Sequence, residues 1–183
     1  MKVKPIIIVS GEPNSIFSEI LIKSINKIRV KKPIILISSE RLLNLQLKKL
    51  KFRKKIKLLD FKKLKKYNLD NKSINLINIE YSQKNAFEKI SNKSNKFIAE
   101  SFKMAFKIIK REKISRFING PISKKYFLNK KYLGITEYIA ENFSKKNIAM
   151  LIFNKNLSVC PLTTHLPLKY VAKKINKKLI YNK

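Results

Sequence analysis

The sequence has 183 residues, 44% of them hydrophobic, and a formal charge of +32 from 43 Lys and Arg against 11 Asp and Glu. That length supports one sizeable core and part of a second, and its longest apolar runs, Ile6 to Val9 and Ile34 to Ile37, fall far short of a bilayer span. The single cysteine, Cys160, excludes an intramolecular disulfide, and no small-residue cleavage site follows Met1 to Pro5, so the expected location is the cytoplasm.

Ile6 to Ser10 reads as a buried strand ending in a turn at Gly11 and Pro13. Phe17, Leu21, Ile25 and Ile28 then recur at helical spacing, predicting a helix over 15–28 capped by Asn14 or Ser15. Pro33 to Ser38 is a second strand, Ser39 to Leu50 a helix with Leu43, Leu47 and Leu50 on one face, and Lys55 to Asp60 a third strand. Lys62 to Lys66 is a charge run expected as a solvated helix or loop, and Ile74 to Ile79 a further strand. Polar Asn92 to Asn95 caps a helix over 96–111, whose stripe of Ile98, Phe102, Ala105 and Ile109 is broad enough to pack on a sheet.

Arg116 to Ile118 is a brief strand running into Asn119-Gly120-Pro121. Helices are expected over 123–128 and 136–143. Ala149 to Phe153 and Leu157 to Leu162 read as two strands joined at Asn154-Lys155-Asn156, which places Cys160 in a core strand. Pro167 suits the first turn of a last helix through Tyr170, Val171 and Ile175. The alternation of strands and helices predicts an α/β layer fold on a parallel sheet.

The charge suggests a nucleic-acid partner, but only five of the basic residues are Arg, the side chain that bidentate phosphate and base recognition favours. The lysines are scattered, and Lys, Asn and Ile are abundant while Gly numbers three, a pattern that A/T-rich codons produce. Nucleic acid is therefore not the expected partner, although the charge favours anionic substrates such as phosphates.

Four segments stand where strands give way to helices. His165, the one histidine, lies in Thr163-Thr164-His165-Leu166-Pro167, a position that suits a ligand, an acid–base group or a backbone-bonded turn. Lys124 follows Gly120-Pro121-Ile122-Ser123 and is either a phosphate-binding lysine or one more surface lysine. Gly11 to Ser15 is either an anion site at a helix amino terminus or an ordinary capped turn. Gly134-Ile135-Thr136-Glu137 reads as a capped helix start. No Gly-x-Gly-x-x-Gly, phosphate-loop, Cys-x-x-Cys or His-Glu-x-x-His pattern occurs.

Together these segments resemble the 4-hydroxythreonine-4-phosphate dehydrogenase family. Gly11-Glu-Pro-Asn-Ser-Ile-Phe-Ser-Glu19 resembles its opening Gly-Asp-Pro-x-Gly-Ile-Gly-Pro-Glu, and Asn119-Gly-Pro-Ile-Ser-Lys124 its Thr-Ala-Pro-Ile-x-Lys. Gly134-Ile-Thr-Glu137 resembles its Gly-His-Thr-Glu, and Thr163-Thr-His-Leu-Pro-Leu168 its metal-binding segment. The resemblance covers nearly the whole chain but only the earlier part of the family's length.

It implies a three-layer α/β/α fold of the isocitrate/isopropylmalate dehydrogenase type. Residues 1–120 would form the first domain and residues 121–183 an incomplete, truncated second domain on the metal and substrate side. It also implies a homodimer that uses NAD or NADP and a divalent metal (zinc, magnesium or cobalt). The reaction implied is oxidation of 4-phosphooxy-L-threonine to a β-keto acid that loses carbon dioxide, on the route to pyridoxal phosphate (vitamin B6).

By position, His165 would be a metal ligand, Thr136 a substrate-binding residue and Lys124 a catalytic residue in the cleft. Ile135 stands at a substrate-binding position where the family has His, and Glu12 where it has Asp. The family's metal site takes two further histidines, and this sequence has none to give. The chain by itself is then expected to lack activity. A non-catalytic binding protein that keeps the fold and a basic nucleic-acid-binding module are the rival expectations.

Overall fold

Five short strands, each led or followed by a helix, organise the first part of the chain: β1 Ile6–Val9, β2 Ile34–Ser38, β3 Ile56–Leu58, β4 Ile74–Asn78 and β5 Phe117–Asn119. The computed structural model describes residues 3–27, 30–129, 131–143 and 148–181. Among these residues the chain divides into two compact units, Met1–Asn129 and Lys130–Lys183.

In the first unit the strands form one sheet in the order β3-β4-β2-β1-β5, with every pairing parallel. Strands of nearly continuous Ile, Leu and Val need cover on both faces, and helices supply it. On one face, Ile8, Leu36, Ile74 and Leu76 pack with Leu21 and Ile22 of α1 (Phe17–Lys27) and with Leu43 and Leu47 of α2 (Glu40–Lys49). The other face takes α3 (Asn95–Glu112), which lies against β1 and β2 and buries Ile98, Phe102, Ala105 and Ile109. This is the expected three-layer α/β/α arrangement.

Local chemistry sets the boundaries. Ser39 caps α2 by accepting the Leu42 amide, and Leu50 closes it. The lysine-rich run over 62–66 is a 3-10 helix, Phe61–Lys66, capped by Asp60 and anchored by fully buried Leu64. Helix α1 starts at Phe17 rather than Ser15, because the Ser15 hydroxyl is engaged in the turn before it. Ile28, the last residue of the expected apolar stripe, lies outside the described residues. Helix α3 ends at Lys113, which adopts a left-handed conformation with φ of 51°. The segment expected as a helix over 123–128 is a π-helical turn, Lys124–Leu128, with Leu128 buried.

The second unit departs further from expectation. It contains α4 (Ile135–Asn142), α5 (Val171–Lys174) and α6 (Lys177–Tyr181). The two strands expected over 149–162 reduce to a single antiparallel bridge between Ile152 and Val159, with the turn closed by the Asn154 amide on the Leu157 carbonyl. Leu151, Ile152, Phe153, Leu157 and Val159 are all exposed, so neither side of this hairpin has the packing that a strand pair needs. Cys160 is exposed as well, which corrects its placement in a core. The last expected helix is broken, since Ile175 takes an extended conformation between α5 and α6. Among the described residues no helix is long and apolar enough to cross a membrane.

Candidate active site

In an open parallel sheet, ligands gather at the carboxyl ends of the strands. Here those ends are tied by backbone contacts between the loops after β1 and β5. The Gly120 amide donates to the Val9 carbonyl at 2.7 Å, and the Glu12 amide to the Pro121 carbonyl at 2.7 Å. Gly11 has φ of 72°, and a Cβ there would lie 2.3 Å from the Pro121 carbonyl oxygen. A Cβ on Gly120 would lie 2.1 Å from the Ser10 carbonyl oxygen. Two of the three glycines in the sequence are thus spent on the mutual approach of these loops.

Glu12 is 1% exposed, and its carboxyl group accepts from the Asn14 amide at 3.3 Å and from the Ser94 hydroxyl at 2.8 Å. The Ser15 hydroxyl donates to the Glu12 carbonyl and accepts from the Phe17 amide. The turn is thus held by the Glu12 and Ser15 side chains together with Ser94.

Around Glu12 lies a polar cluster that sequence reasoning missed. Asn14 Oδ1 accepts from Gln83 Nε2 at 2.9 Å and from the Glu88 amide at 2.8 Å. Gln46 Nε2 bridges the Pro13 and Ala86 carbonyls, and the Ser39 hydroxyl donates to the Tyr81 carbonyl. The Tyr81 phenol is held above its usual range, first by burial and then by the negative charges of Glu12 and Glu88. Ser10 Oγ, Gln83 Oε1 and Asn95 Oδ1 are buried without a hydrogen-bond partner among the described residues. The available signal was an acidic residue directly after a strand-end glycine; its serine partner, more than eighty residues away, carried none.

The candidate residues named from sequence fall in different units. Lys124 is exposed in the first unit, where it opens the π-helical turn capped by Ser123 Oγ. Ile135 and Thr136 are half-buried in the first turn of α4 in the second unit, after Gly134. Near them Tyr132 and Tyr138 meet edge to face at 5.3 Å. The Tyr138 phenol is raised by burial, then by Tyr132 and Glu141. His165 is exposed in the second unit and has a left-handed backbone with φ of 57°. Its neighbours Thr163, Thr164 and Leu166 line a groove of about 460 Å³ together with Lys174 and Lys178.

The donor set decides how far these residues fit a metal. Among the described residues no group of three or more His, Cys, Asp or Glu side chains could hold an ion. A zinc site takes at least three protein ligands, and His165 offers one. The described residues do not by themselves fit a zinc centre.

A parallel sheet with helices on both faces and polar loops at its carboxyl edge places the first unit among the open α/β folds. The sequence comparison is narrower: this chain belongs to the family of the pyridoxal phosphate biosynthetic protein PdxA, whose model matches residues 29–183. It is 34% identical over 178 residues to a 4-hydroxythreonine-4-phosphate dehydrogenase of Sulfurihydrogenibium sp. (strain YO3AOP1), covering 94% of this chain and 53% of that protein.

Among solved structures, the 4-hydroxythreonine-4-phosphate dehydrogenase of Klebsiella pneumoniae superimposes with a TM-score of 0.83 at 20% identity, covering 98% of this chain and 56% of that one. The corresponding structure from Burkholderia phymatum gives a TM-score of 0.81 at 20% identity, covering 97% and 55%. These two likenesses establish the fold. The chain spans about half the length of the relatives it matches most extensively.

Proposed function

We propose that this chain carries the amino-terminal part of a 4-hydroxythreonine-4-phosphate dehydrogenase and supplies part, not all, of its active site. The observation that carries the reading is His165: within a chain of this family, the one imidazole is exposed on a left-handed turn. A non-glycine residue held in that conformation is uncommon and gathers at functional sites.

The reaction is the oxidation of the hydroxyl of 4-phosphooxy-L-threonine to a 2-amino-3-oxo acid, which then loses carbon dioxide. A nicotinamide cofactor, NAD or NADP, supplies the hydride acceptor when bound. Lys124, on an exposed turn, suits proton transfer or charge neutralisation beside the substrate. Thr136 offers a hydroxyl to the substrate from the first turn of α4, while Ile135 offers only apolar contact where the family has an imidazole. His165 contributes one donor toward zinc, magnesium or cobalt, and the remaining donors come from outside this sequence. On this reading residues 1–120 form the first domain and residues 121–183 part of the second, and the assembled enzyme is a cytoplasmic homodimer.

Formation of NADH or NADPH from 4-phosphooxy-L-threonine, followed at 340 nm with each metal, tests the proposal. This chain alone is expected to be silent. A chimera that continues it with the remainder of the Sulfurihydrogenibium protein is expected to turn over, and His165→Ala in that chimera to abolish turnover. A folded chimera that binds metal yet stays silent would overturn the reading. Ile135, which removes a polar substrate partner, would then favour a binding protein that keeps the fold without the chemistry.

A further inference from the structure

We propose that the edge of the sheet opposite Glu12 and Gly120 carries a binding groove for a small oligophosphate. Helix α2 runs antiparallel to the strands, so its last turn lies at their amino-terminal edge, beside the segment that enters β3. There Lys51 takes a left-handed conformation with φ of 52°, and the Phe52 amide bonds back to the Leu47 carbonyl at 2.9 Å. The chain doubles back along α2, and the two walls border an open groove of about 750 Å³. Sites for small ligands run from roughly 300 to 1,000 Å³.

The lining is almost uniform in sign. Lys48, Lys51, Arg53, Lys54 and Lys55 contribute five cations, and no carboxyl group lines the groove. Exposure alternates from Lys51 to Ile56: Phe52 and Ile56 pack on the core, while Lys51, Arg53 and Lys55 are exposed. The Lys23–Glu19 and Arg111–Glu112 salt bridges involve none of these five.

Cations crowded in one concavity repel one another, and a bound polyanion relieves the repulsion. Arg53, one of only five arginines in the sequence, adds a planar fork that suits phosphate oxygens. A groove of this volume, lined by five neighbouring cations with one guanidinium among them, suits a compact chain of phosphates. This edge is also remote, by the parallel topology, from the strand ends that the dehydrogenase reading uses.

The whole chain is cationic, so the test must separate a site from general charge. The probe is inorganic tripolyphosphate, titrated into the full chain by calorimetry in about 150 mM salt, where exposed charges are screened beyond about 8 Å. Amide spectra taken in parallel locate the contact. The expected result is one equivalent bound, with shifts concentrated in residues 44–55. The variant Lys51→Gln/Arg53→Gln/Lys55→Gln should bind at least tenfold more weakly. An equally discharged control, Lys62→Gln/Lys63→Gln/Lys103→Gln, changes exposed lysines elsewhere and should bind within twofold of the parent. Both variants should keep the parent's far-ultraviolet spectrum; if the first does not, Lys48→Gln/Lys55→Gln replaces it, with a threefold or greater loss expected. Equal weakening in groove and control variants, shifts spread over the whole chain, or tighter binding of a single-stranded oligonucleotide at the same phosphate concentration would overturn the proposal.

Discussion

Gly120 and Ser10 touch through their backbones so closely that a methyl group on the glycine would meet the serine carbonyl oxygen at 2.1 Å. The atom it would strike is main chain directly after β1, a strand paired on both sides, so it has little room to move. Gly120→Ala should cost about 3 kcal/mol or more, the upper part of the range for overpacking. Gly11→Ala meets the Pro121 carbonyl at 2.3 Å and also loses the ease of a positive φ. Urea midpoints for the two variants should both fall well below that of Gly134→Ala, whose added methyl meets only the movable end of Glu137.

Glu12 anchors the β1 loop to the start of α3 through Ser94. Glu12→Ala would leave the Asn14 amide short of a partner and the Ser94 hydroxyl with only the Ser91 carbonyl, a loss of about 1–2 kcal/mol. Glu12→Asp restores the residue type that the family resemblance gives this position but shortens the reach to Ser94. It should fall between the parent and the alanine variant in thermal unfolding. An aspartate variant as unstable as alanine would show that side-chain length, not the carboxyl group, fixes the loop.

Tyr81 gives the first unit an alkaline limit. Its folded-state phenol pKa lies above the ordinary value of 10.0, so the folded protein holds this proton more tightly than the unfolded chain does. The resulting stability is complete below pH 10 and is lost as the pH climbs through the raised folded value. Tyr81→Phe should flatten the decline of unfolding free energy above pH 10 relative to the parent. It should also remove a late component from the tyrosinate absorbance titration at 295 nm.

Phe102 is fully buried and has ring neighbours at 5.8 Å (Phe106), 6.0 Å (Phe117) and 6.1 Å (Phe127). Phe102→Ala opens a cavity between α3 and the sheet and should cost about 3–5 kcal/mol. Denaturant unfolding with an unchanged m-value would confirm a loss of packing rather than a change of fold.

His165 is exposed and stands alone as an imidazole, so it contributes little to the stability of this chain. His165→Ala should shift the unfolding free energy by less than about 0.5 kcal/mol, and a chelator should leave the melting temperature unchanged. A melting temperature that falls on chelation would reveal donors that the arrangement described above does not contain.

The first unit was largely legible because its elements carry strong, separate signals. Strands such as Ile34–Ser38 are short runs of β-branched and aliphatic residues bounded by turn residues, and the Ile98-Phe102-Ala105-Ile109 stripe has one period only. The order of strands in the sheet was not legible, because the crossover of α3 past β2 and β1 depends on contacts far apart in sequence. The second unit was read poorly for a physical reason. Leu151 to Phe153 and Leu157 to Val159 have strand composition, but a lone pair of chains with no buried face does not sustain a ladder. Propensity was present there, and the packing that converts it into structure was not.

At the candidate site, sequence located the turns but not their partners. His165 and Lys124 were conspicuous by residue type and by position after strands. The Glu12–Ser94 pair and the hold of Asn14 on Gln83 and Glu88 link residues too distant to be paired by inspection.

The pairing of Val9 with Asn119 has a consequence for biosynthesis. Of the five strands β1 is made first, yet it occupies an inner place in the sheet, and its second neighbour, β5, is made last. Until then one flank of β1 is an unpaired edge. The loops bearing Gly11 and Gly120 can close together only once β5 has been made, so this contact forms late and between residues far apart in the chain.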